Sequence, residues 1–222
     1  MPPRARRNLW LVDEPVVAVR GEVRREVPPE IARFNVEVTA RDADRQTALS
    51  RLTDRAEGLR ALLAEYADAI ERRETSGMYL HPDVRKGRGE RVTAYQGSLT
   101  TTVTVSDFDT LGELMLRLAN QEQTRVYGPW WSVRSDSPAH REARRAAIAD
   151  GIARAKDYVE AVGARLVRLV EISDVAAETH LFATPMGFRG GGDEALSLEL
   201  EPQVQTVHAQ VALKFTMTEP TV

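Results

Sequence analysis

The sequence predicts an α+β fold: antiparallel sheets with amphipathic helices packed on one face, arranged as two strand–helix–strand lobes. Three observations carry this. In "IARFNVEVTA", Ala32, Phe34, Val36, Val38 and Ala40 share one face of a strand, while Arg33, Asn35, Glu37 and Thr39 take the other. Across residues 43–67 the period changes. Leu49, Leu52, Ala56, Leu59, Leu63 and Tyr66 recur every three or four positions, one stripe of a helix. The strand–helix–strand order then occurs twice, around the helices at 43–67 and 108–121. Long strands with one apolar face, and helices to cover it, specify two layers.

The elements follow in order. "VVAVRGEVRREV" is a weaker strand before the first clear one, and a turn at Pro28-Pro29 would join the two as a hairpin. After the 43–67 helix, "ERRETSGMYLHPDV" reads as a strand running into a loop. The glycine-rich, basic "VRKGRGER" is a hairpin tip. In "VTAYQGSLTTTVTVSD", Tyr95, Leu99, Val103 and Val105 form the apolar side, opposite Gln96, Ser98, Thr100, Thr102 and Thr104. Ser106 or Asp107 is placed to cap a helix carrying Phe108, Leu111, Leu114, Met115 and Leu118. A tryptophan-bearing strand, "RVYGPWWSVRSD", precedes a long alanine-rich helix that Ser135 or Ser137 would cap, with Pro138 in its first turn and Gly163 at its end. "RLVRLVEISD" is a strand. Residues 175–203, with "FRGGGDE" and two isolated prolines, read as a long mobile loop. "QTVHAQVALKFTM" closes the sheet, with Val207, Ala209, Val211, Leu213, Phe215 and Met217 on one face.

Residues 1–15 are expected to form a flexible arm, and 16–218 one continuous domain. With 30 basic and 33 acidic residues the net charge is −3, so no global field draws nucleic acid, and no RNA-binding aromatic pattern is present. The absence of cysteine excludes disulfides, thiol nucleophiles and cysteine-based metal sites. A secretory leader needs an apolar run of roughly 7–15 residues. The stretch Asn8-Leu9-Trp10-Leu11-Val12 is cut off by Asp13-Glu14-Pro15, and no run reaches the roughly 20 residues of a membrane span. The expectation is a cytoplasmic protein with no membrane span.

Catalytic patterns are equally sparse. His81, His140, His180 and His208 are not paired at metal-ligand spacing. "KGRGE" and "RGGGDE" lack the strand and helix that a phosphate cradle needs. There is no GxSxG elbow. His81 with Asp83 close by is the pair on which a hydrolase reading would rest. No catalytic, metal or cofactor residue is assigned, and no cofactor is expected.

The order of pieces resembles the SIMPL-domain family, which includes bacterial YggE-like proteins and a kinase-associated animal protein. The stretches that carry the resemblance are "VRGEVRREVPPEIARFNVEVTARDADRQTAL", "VTAYQGSLTTTVTVSDFDTLGELM", "RVYGPWWSVRSD" with its following helix, and "VHAQVALKF". It spans about residues 16–217. Two features depart from the family: the usual signal peptide is not seen, and Pro202 is followed by Gln203 where members have a Pro-Gly step. The resemblance implies a stress-linked or scaffold role, no agreed enzymatic activity, and no catalytic residues to transfer.

The adjacent Trp130 and Trp131 are the sharpest functional signal. Neighbours on a strand face opposite ways, so only one can enter a given core. Trp131 and Val133 share one parity, with Tyr127 joining them unless Gly128-Pro129 shifts the register; Trp130, Ser132 and Arg134 share the other. Pro129 points to an edge strand or a bulge. The leading expectation is a non-enzymatic homo-oligomer that assembles through its sheet, with Trp130, Tyr127, Arg134 and Trp131 as candidate contact or pocket residues. The alternative is a small-molecule binding module with 175–203 as a lid.

Overall fold

The computed structural model describes residues 14–85, 91–174 and 198–221. In chain order the elements are β1 (Val16–Val27), β2 (Ile31–Asp42), α1 (Arg45–Ala64), β3 (Ile70–Arg85), β4 (Arg91–Val105), α2 (Leu111–Ala119), β5 (Thr124–Ser132), α3 (Pro138–Ala161), β6 (Leu166–Asp174) and β7 (Gln205–Met217). The α+β class holds: two sheets and three helices are present among the described residues. Residues 1–13, 86–90 and 175–197, where the sequence predicts an arm, a hairpin tip and most of a loop, lie outside the described residues, while 198–203 carry no helix or strand. The chain divides into two compact units, one of residues 28–134 and 181–205, the other of 1–27, 135–180 and 206–222.

The first of these units holds a four-stranded sheet in the order β3-β4-β2-β5, antiparallel at each junction. Both strand–helix–strand passages, β2-α1-β3 and β4-α2-β5, therefore contribute to one sheet. Phe34 pairs with Val103, Val36 with Thr101 and Val38 with Leu99, so the alternation of β2 is continued across β4 on the same face. Helices α1 and α2 close that face: Leu52, Ala56, Leu59 and Leu63 from one, and Leu111, Leu114 and Leu118 from the other, are buried with Phe34, Val36 and Val103. Two helix starts differ in kind. Asp44 caps α1, its carboxylate accepting from the Thr47 N–H at 2.8 Å. At α2 neither Ser106 nor Asp107 is the cap. Thr110 holds that position with no side-chain capping bond, and Asp107 instead accepts from the Asp109 N–H in a turn before the helix.

Two strand expectations are corrected here. No hairpin joins β1 to β2: β1 lies in the other sheet, and the two flanks of β2 are taken by β4 and β5. Pro28 and Pro29 have no N–H to close a ladder across such a turn, so the chain leaves one sheet there and begins the next. The chain at "LHPDV" does not become a loop either. β3 continues through Pro82, which pairs opposite Tyr95. As an edge strand, β3 can hold a proline without breaking a second ladder.

The other unit holds a three-stranded sheet in the order β1-β7-β6, with β6 and β7 antiparallel. As the alternation predicts, Val207, Ala209, Val211, Leu213 and Phe215 are buried. α3, capped by Ser137, buries Ala143, Ala147, Gly151, Ala155 and Val159, one small or slender residue per turn. The small stripe lets backbone meet backbone. A Cβ on Gly21 of β1 would collide with the carbonyl oxygen of Ala147, and one on Gly151 with the side chain of Leu213.

Candidate functional site

β5 is an edge strand, pairing with β2 on one side and with no other strand among the described residues. Its register against β2 slips between Arg33 and Asn35. The slip falls at Gly128-Pro129, where the peptide bond is cis and Gly128 takes φ +117, a conformation that L side chains rarely adopt. Proline and glycine in mid-strand thus mark both features that the sequence pointed to, the edge and the irregularity.

The slip decides where the aromatics face. Trp131 pairs with Ala32 and lies on the core side, packed against the buried cluster, with its ring edge-to-face on Phe108 at 4.8 Å between centroids. Trp130 pairs with Arg33 and is half-buried on the opposite side. Tyr127 pairs with Asn35, so it shares the face of Trp130, not that of Trp131. It is 45% exposed, and its hydroxyl donates to Glu37 Oε2 at 3.3 Å. Simple parity put Tyr127 with Trp131; the slip carries it to the other face.

Beside these rings the outer face is polar. Asn35, Glu37 and Thr39 on β2 pair with Thr102, Thr100 and Ser98 on β4, and Thr102 donates to Asn35 Oδ1 at 2.9 Å. Glu37 also takes an ion pair from Arg125 at 3.6 Å. Arg134 does not join the aromatic pair. Its backbone N–H donates to Glu30 Oε2 at 2.9 Å and its guanidinium bonds the Glu71 carboxylate, which pins the chain leaving β5. The four candidate residues therefore separate: Trp130 and Tyr127 share an open face, Trp131 packs partly buried against the core, and Arg134 forms ion pairs. Sequence spacing did not reveal Glu37 and Phe108, the partners of the aromatics, because each is distant in the chain.

Among the described residues, His81 and Asp83 do not form a hydrogen-bonded pair. His81 Nε2 lies 4.0 Å from Asp83 Oδ1, beyond hydrogen-bond reach, and Arg41 Nε engages the other oxygen of that carboxylate at 2.8 Å. His208 is on β7 and His140 in the first turn of α3; His180 lies outside the described residues. Among the described residues no cluster of three or more histidine, cysteine, aspartate or glutamate side chains is arranged to hold a metal.

Residues 17–215 match the SIMPL family, described as a protein of unknown function (DUF541). The chain belongs to the SIMPL family. Two relatives of this SIMPL chain are the 26 kDa periplasmic immunogenic proteins of Brucella melitensis biotype 1 and Brucella abortus (strain S19). Each is 29% identical over 187 residues, covering 79% of this chain and 73% of the relative. Both are named as periplasmic, which overturns the cytoplasmic expectation. That expectation rested on an interrupted apolar stretch near residue 10 and on the lack of a membrane-length apolar run, weaker guides to compartment than similarity over 79% of the chain. No described helix is long and apolar enough to cross a membrane.

Proposed function

We propose that this SIMPL-family chain is a self-assembling protein of the periplasm, in which copies meet along the free side of β5. The observation that carries the proposal is the edge itself. β5 presents its unpaired side together with Trp130 and the 45%-exposed Tyr127 on one face. Trp and Tyr are enriched at protein contacts because they bury large rigid surfaces while keeping one polar group. An open strand edge supplies a row of backbone donors and acceptors for a second chain. The charge that β5 carries on its outer face, Arg125, is ion-paired with Glu37 of the neighbouring strand. Periplasmic placement is supported by the names of the Brucella relatives.

The test is the mass of the protein in solution, wild type against Trp130→Ala. A discrete oligomer that the substitution dissociates supports the proposal. A monomer in both cases refutes it.

A further inference from the structure

A second site is independent of that assembly surface. On the core side of the four-stranded sheet, α1 covers β2 and β4 but leaves an open groove of about 430 Å³ between itself and β3. Its walls include Leu59, Arg60 and Leu63 from the helix and Arg73 and Thr75 from β3, with Leu99 on its floor. A volume of this size falls in the range of small-molecule sites.

The groove is polarised along its length. Arg73 pairs with Val103 and Thr75 with Thr101 on the core face, and Met78 follows opposite Leu99. Met78 is 55% exposed. Along β3, Arg73 thus offers a cation at the groove, and Met78, just beyond the lining residues and opposite Leu99, a flexible apolar surface of the kind that adapts to varied ligands. The cations are uncommitted. Among the described residues neither Arg60 nor Arg73 has a hydrogen bond or ion pair, whereas the neighbouring Arg72 is engaged by Glu74 at 3.5 Å. Glu74 also borders the groove, with its carboxylate occupied by that pair.

We propose that this groove binds a single-chain amphiphile with an anionic carboxylate head, a fatty acid. Arg60 and Arg73 receive the carboxylate, and the alkyl chain runs past Leu59 and Leu99 toward Met78. Guanidinium groups match carboxylates in geometry as well as charge, and apolar surface beyond them selects a tail over a small anion.

The experiment is calorimetric titration of the 222-residue chain with laurate, below its micellar concentration. The expected result is one saturable site that acetate does not fill and that dodecyltrimethylammonium, with the same tail and opposite charge, does not fill. Arg60→Gln with Arg73→Gln should weaken laurate binding roughly tenfold or more. Both side chains are exposed, so the variant is expected to fold, and far-ultraviolet circular dichroism verifies this. Met78→Asp should weaken laurate by placing like charge beside the tail. The proposal is overturned if laurate does not bind, if the double variant binds it as wild type does, if Met78→Asp leaves it unchanged, or if acetate or the cationic amphiphile binds equally well.

Discussion

Phe108 and Trp131 meet edge to face, 4.8 Å between ring centroids with planes 82° apart, and this contact fastens the segment before α2 to the core side of β5. The geometry is the one in which the positive ring edge of one aromatic meets the negative face of the other. It makes the two adjacent tryptophans separable by experiment, because only one of them belongs to the core.

Trp131→Ala is expected to destabilise the protein by about 3 kcal/mol in urea unfolding, since a large side chain leaves a cavity against the buried cluster. Trp130→Ala is expected to cost about 1 kcal/mol or less under conditions that keep the chain monomeric. Combining Trp131→Ala with Phe108→Ala should reveal a coupling of about 0.5–1.5 kcal/mol. Equal costs for the two tryptophans would contradict the assignment of faces.

Gly21→Ala and Gly58→Ala test backbone packing in opposite senses. At Gly21 a new Cβ has only the Ala147 carbonyl and the Gly151 backbone to meet, so α3 must move away from β1. A loss of about 2 kcal/mol or more is expected. Gly58 is exposed in the interior of α1 with nothing within 4 Å of a Cβ, so alanine there should stabilise by about 0.5–1 kcal/mol. Thermal unfolding of both variants should shift in opposite directions; a shared direction would refute the close crossing.

The Asp44 cap predicts a pH dependence. The Thr47 backbone N–H and hydroxyl donate to its carboxylate at 2.8 and 3.0 Å and hold its pKa below the ordinary 3.8. A lowered folded-state pKa means that the stabilisation is fully present above the unfolded value near 3.8 and is lost as pH falls through the lower folded one. Asp44→Ala should therefore lower the Tm at neutral pH, by a margin that shrinks in acid. Asp44→Asn should recover part of the loss with no such titration, because the amide oxygen still accepts. A margin independent of pH would contradict the cap.

Much of this fold is legible in the sequence because its signals are local. The alternation of β2 and β7 and the stripe of α1 each lie within one element, and the buried residues follow them closely. What escaped is pairing. Nothing in "VVAVRGEVRREV" says that its neighbour is β7, the last strand of the chain, and not the adjacent β2. The register of β5 was half legible: Gly128 and Pro129 announce an irregularity, but only the partner strand shows that it carries Tyr127 to the face of Trp130. Arg134 shares its parity with Trp130 in sequence, yet it is drawn to Glu30 and Glu71, carboxylates that no spacing rule connects to it.

The central claim is that β5 is where copies of this chain meet, and the most direct measurement is absolute mass by light scattering behind size exclusion. Wild type, Trp130→Ala and the core control Phe108→Ala should be compared at equal concentration. The account predicts a discrete assembly larger than the 24.7 kDa chain that Trp130→Ala breaks down and Phe108→Ala leaves intact wherever it remains folded. A 24.7 kDa monomer for wild type, or an assembly indifferent to Trp130, would contradict it.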